Sequence, residues 1–77
     1  MKRSKGFKII QKQTFVNNES KNITIVRVYE NILEEVDFRI KYVLINKKKY
    51  DFQFIDNYTI IINDNIINET EYVYFIG

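Results

Sequence analysis

Three groups of residues in this chain have types and spacings that could support chemistry. Glu34 and Glu35 are adjacent, and Asp64, Glu69 and Glu71 gather late in the chain. Such carboxylates are the makings of an acid–base pair or a magnesium site. Lys2, Arg3, Lys5, Lys8 and Lys12 put five positive charges into the first twelve residues with no acid among them. Lys47, Lys48 and Lys49 form a second basic run. Basic clusters attract phosphates in a salt-dependent way, and neighbouring strand aromatics can stack on unpaired bases. The carboxylates read as solvated turns and faces. The basic residues read as a nucleic-acid or partner site, with a solubilising tail as the competing reading of the leading arm.

The residue types that are missing narrow the field. There is no histidine and no cysteine, which removes catalytic triads, cysteine–histidine pairs, imidazole acid–base catalysis, thiolate zinc sites and disulfides. The two glycines, Gly6 and Gly77, cannot build a loop that cradles phosphates. The expectation is a protein without enzyme activity, cofactor or metal, acting by binding.

Around these groups the chain must fold with little to spare. Its 77 residues make one domain over 1–77, too small to bury a large fraction of its surface. An apolar content of 45% with a net charge of +2 argues against disorder. Fourteen Ile, six Phe and six Tyr, with no Ala, Pro or Trp, favour strands over helices. Ile, Asn and Lys together supply 32 residues, as an AT-rich coding sequence would. That composition points to a low-GC bacterium or to its phages and mobile elements. No apolar run approaches the roughly 18 residues of a membrane span, and Lys8, Gln11 and Lys12 interrupt any signal-peptide core. The expected compartment is the cytosol of the source or of an infected host cell. Residues 1–6 read as a basic, flexible arm.

The pattern predicts an all-β domain of five to six antiparallel strands in a small barrel or sandwich. Residues 7–16 and 23–30 read as strands separated by the turn-forming 17–22. Tyr29, Ile32, Leu33 and Val36 fall at helical spacing, which suggests one short helix near 30–36. From Val36 the alternation places Phe38, Ile40, Tyr42 and Leu44 on one side. Further strands are expected at 50–55, 58–63 and 71–76.

A two-residue turn at Asp56-Asn57 would set Phe54 against Thr59 and Phe52 against Ile61. Matching that face to Leu44 then requires an odd loop, Lys47–Lys49 or Ile45–Lys49, because a one-residue slip sends a whole face to the other side. The core would then hold Phe38, Ile40, Tyr42, Phe52 and Phe54. Val43, Ile45, Ile55, Tyr58, Ile60 and Ile62 would lie on the reverse. So apolar a reverse face must be covered by the chain's own first strands or by a second copy, giving a possible homodimer.

Three functions fit. The first is a small phage or mobile-element inhibitor that binds a host protein or ribonucleoprotein, such as a CRISPR effector. The second is a small barrel that binds RNA or single-stranded DNA through the basic arm. The third is a phage structural or connector protein acting by self-association through the reverse face.

Overall fold

The computed structural model describes residues 4–66 and 71–77, with side-chain surroundings from residue 5 onward. Among the described residues the elements are β1 (Ser4–Val16), β2 (Asn22–Val28), α1 (Ile32–Glu35), β3 (Tyr42–Ile45), β4 (Lys48–Tyr50), β5 (Phe52–Asp56), β6 (Thr59–Ile62) and β7 (Tyr72–Ile76). The strands pair antiparallel in the order β4-β3-β7-β1-β2-β6-β5, curled into a half-barrel. The fold is all-β with one turn of helix, as the composition predicts.

One long strand makes the curl. Ser4–Lys8 of β1 pairs with β7, whereas Ile9–Val16 pairs with β2. Between them the register shifts at Ile10, a bulge that bends the strand from one wing of the sheet into the other. The two outermost strands, β4 and β5, are consecutive in the chain with Asp51 alone between them. The two ends of the sheet are therefore drawn together, and the Phe52 ring meets Phe75 across the interior at 5.8 Å. β1 begins inside the stretch 1–6 that the charge pattern marks as an arm. Ser4, Lys5 and Gly6 already belong to β1, opposite Ile76, Phe75 and Tyr74, while Lys2 and Arg3 lie outside the described residues.

Local chemistry explains the turns. In the β1–β2 hairpin, Asn17 Oδ1 accepts the Glu19 and Lys21 N–H groups at 2.9 and 3.0 Å, and Ser20 takes a left-handed φ of 61°. Asn31 caps α1 by accepting the Glu34 N–H at 3.4 Å. Of the four residues expected on the helix's apolar side, Ile32 is buried and Val36 packs against the core, while Tyr29 and Leu33 stay exposed.

The concave face holds Phe7, Val26, Val28, Ile32, Val43, Ile45, Ile60, Ile62, Ile66, Val73 and Phe75. Phe7 and Phe75 meet edge to face at 5.0 Å. Phe52 of β5 packs against the core as expected, but the faces of β3 and β6 are the reverse of those expected, for two reasons. Asn46-Lys47, with φ of 53° and 66°, forms a two-residue hairpin turn and not an odd loop, so Val43 pairs with Tyr50 and Leu44 with Lys49. At the next hairpin the turn residues are Asn57-Tyr58, and a bulge at Ile55 shifts the register so that Phe54 pairs with Ile60 and Phe52 with Ile62. Val43, Ile45, Ile60 and Ile62, expected on a reverse face covered by the first strands or by a second copy, are each 0–1% exposed within one chain, so the sheet's own curl covers them. Tyr42 and Leu44 instead point outward, half-buried, and Phe54 is 42% exposed. Residues 36–41 are not strand; within them, Ile40 packs against the core.

Candidate nucleic-acid interface

The convex face of the wing β4-β3-β7-β1 carries the aromatic and basic side chains. Phe7, Val73, Phe75 and Val43 point inward, so their alternates point out: Gly6 and Lys8 on β1, Tyr72 and Tyr74 on β7, Tyr42 and Leu44 on β3, and Lys49 on β4. The register sets them in rows. Lys8 lies opposite Tyr72, and Gly6, Tyr74, Leu44 and Lys49 run across all four strands. At the usual strand spacing that row is about 14 Å wide.

Gly6 explains how Tyr74 lies. A Cβ placed on Gly6 would stand 2.8, 3.2 and 3.4 Å from Cε2, Cδ2 and Cζ of the Tyr74 ring. Three adjacent ring atoms at such similar distances describe a ring lying over the glycine, since a ring pointing edge-on would hold its outer atoms farther off. Any other residue at position 6 would lift the ring. Tyr74 is nonetheless 46% exposed, and Tyr72 beside it 45%. On the far side Lys49 Nζ sits 4.6 Å from the Tyr42 ring centroid, a cation–π contact. Among the described outward positions of these four strands none is acidic.

Of the eight basic residues singled out in the sequence, Lys2 and Arg3 lie outside the described residues and the structure divides the other six. Lys8 and Lys49 are exposed at opposite ends of the tyrosine rows, and Lys47 stands in the adjoining turn. Lys48 points to the other side, over Tyr50 at 5.3 Å and 4.0 Å from Asp64. Lys5 reaches Glu35 at 3.6 Å near α1. Lys12, beyond the bulge and opposite the buried Val26, is half-buried and belongs to the second wing. Of the reverse-face residues, Ile55 and Tyr58 remain on the surface, 52% and 38% exposed, at the β5–β6 hairpin.

The carboxylates are dispersed. Glu35 pairs with Lys5 and Asp64 with Lys48, Glu71 is exposed, and Glu69 lies outside the described residues. Among the described residues no three acids gather as a metal would need. Asp56 titrates below the ordinary carboxylate range. Its pKa is lowered chiefly by the Tyr58 backbone N–H, which it accepts at 2.8 Å. The Thr59 hydroxyl beside it, which closes no hydrogen bond of full geometry, and the Arg27 charge lower it further.

Sequence reasoning missed Tyr42, Tyr72, Tyr74 and Gly6 as site residues. The alternation Tyr72-Val73-Tyr74-Phe75 does signal two tyrosines on one face, but only the placement of β7 between β3 and β1 sets them beside Lys8 and Lys49. Among the described residues no helix is long and apolar enough to cross a membrane. Compared with protein families, with curated proteins and with solved structures, the chain matches none.

Proposed function

We propose that the protein is a non-enzymatic binder of single-stranded nucleic acid, working through the convex face of β4-β3-β7-β1. The observation that carries the reading is the Tyr74 ring, laid over Gly6 with its other side toward solvent and flanked by Tyr72, Lys8 and Lys49. A flat exposed ring accepts any base by stacking, and Lys49 at the β4 edge and Lys8 in the neighbouring row on β1 take the phosphates. The groups on this face hold charge and offer π surface.

A second reading is antagonism of a host nucleoprotein, the role suggested by the small size and AT-rich composition. It is supported by the opposite character of the α1 end. There Tyr29 and Leu33 are 71% and 57% exposed beside Glu30 and Glu34, a surface suited to protein.

Fluorescence anisotropy with a labelled oligo-dT or oligo-U separates the two. Nucleic-acid binding predicts an affinity that falls steeply with salt. Tyr74→Leu would weaken it by about 1–3 kcal/mol, and Lys8→Glu with Lys49→Glu would flatten the salt slope. Absence of binding at low salt, or variants that bind as the parent does, would remove this reading and leave the nucleoprotein one.

A further inference from the structure

The convex face of the other wing, β1-β2-β6-β5, has a different composition. Val26, Thr24, Ile60 and Ile62 point inward, so Ile23 and Ile25 of β2 and Ile61 of β6 point outward, half-buried, with Phe15 of β1 44% exposed at their margin. The solvated face of an antiparallel sheet is ordinarily polar, and a contiguous run of isoleucines there marks a contact surface.

Charge says which contact. The two charged side chains at the outward positions are Arg27 and Asp56, both paired in register with Thr59 and so on either side of it. They are of opposite sign and close enough for Arg27 to lower the Asp56 pKa. An isologous contact requires a patch to complement itself. A face bearing net charge, such as the lysine face of the first wing, repels its own copy. A face with one cation beside one anion does not, because a two-fold axis can set each against its opposite in the other copy. The uncharged remainder, isoleucines bordered by Gln11 and Gln13 whose amides both donate and accept, suits the same operation. A strongly acidic or basic partner would gain nothing from a patch of zero net charge.

We infer that two copies of this chain associate through the convex face of β1-β2-β6-β5, with Thr59 and Ile61 of β6 on the two-fold axis, so that Arg27 of each copy faces Asp56 of the other and Ile25 is covered by β5 of the other copy. The contact is independent of the nucleic-acid reading, since it uses the opposite wing.

Sedimentation equilibrium of the full chain, from micromolar to submillimolar concentration, tests this. The mass should rise to twice that of one chain. Ile25→Glu should hold it at one chain with an unchanged circular dichroism spectrum. Arg27→Asp and Asp56→Arg, both on exposed residues, should each be monomeric alone, and an equimolar mixture of the two should regain the doubled mass. Rescue in the mixture requires a contact between copies, which repair of a contact within one chain cannot mimic. A parent chain that stays monomeric, an Ile25→Glu variant that still dimerises, or a mixture that fails to associate would overturn the inference.

Discussion

The Thr24 hydroxyl stands in the barrel wall with the Asp64 carbonyl 2.7 Å away as its acceptor, and it accepts the Ile66 N–H at 3.2 Å. One buried oxygen thus ties β2 to the segment that follows β6. Valine has the same shape without the oxygen. Thr24→Val should cost about 1–3 kcal/mol, because it strands the Ile66 N–H in the core. Urea unfolding would measure it, and a loss near zero would show that the two bonds merely replace bonds to water.

Gly6 and Tyr74 should be energetically coupled. With a Cβ 2.8 Å from Cε2, Gly6→Ala in the parent should be destabilising despite alanine's easier accommodation in a strand. In a Tyr74→Ala background the obstruction is gone, and the same change should be neutral or stabilising. A double-mutant cycle reads the coupling directly, with an interaction of about 0.5–3 kcal/mol expected for residues in contact.

Lys47 sits at φ 66° in the β3–β4 turn, where a side chain crowds the backbone. Glycine removes that strain at some loss of chain entropy, so Lys47→Gly should stabilise the fold by about 0.5–1 kcal/mol. A rise in melting temperature checks it.

Asp56 provides a pH signature. Its folded-state pKa is depressed, so the stability contributed by its ionised form is fully present above the ordinary carboxylate pKa of about 4 and is lost as pH falls through the lower folded value. A ¹³C NMR titration should find the Asp56 carboxyl midpoint below that ordinary value. Asp56→Asn should flatten the acid limb of the stability curve.

What the sequence makes legible follows from how each signal scales. The abundance of Ile, Phe and Tyr without Ala sums over the whole chain, and the β fold follows from it whatever happens locally. The Asn31 cap and the spacing of Ile32 and Val36 are local, and a helical turn forms there. The assignment of faces is fragile because it rests on parity. Moving a turn from Asp56-Asn57 to Asn57-Tyr58 and inserting a bulge at Ile55 changes a single register step, yet it carries Ile60 and Ile62 from the expected outside to the interior. The tyrosine face was illegible for another reason. Lys8, Tyr74 and Lys49 become neighbours through strand order, which no local pattern encodes.

That strand order also has a consequence in time. Ser4 pairs with Ile76, and Lys8 with Tyr72, so the first half of β1 has no partner until nearly the whole described chain has been synthesised. Contacts so distant in sequence form slowly, after the loop-closure entropy has been overcome. The β5–β6 hairpin and the second half of β1 with β2 can pair early, being local. The β3–β4 hairpin with Tyr42 and Lys49 can likewise pair early, but Lys8, Tyr72 and Tyr74 join it only when β7 closes on β1, so the tyrosine–lysine face is completed last.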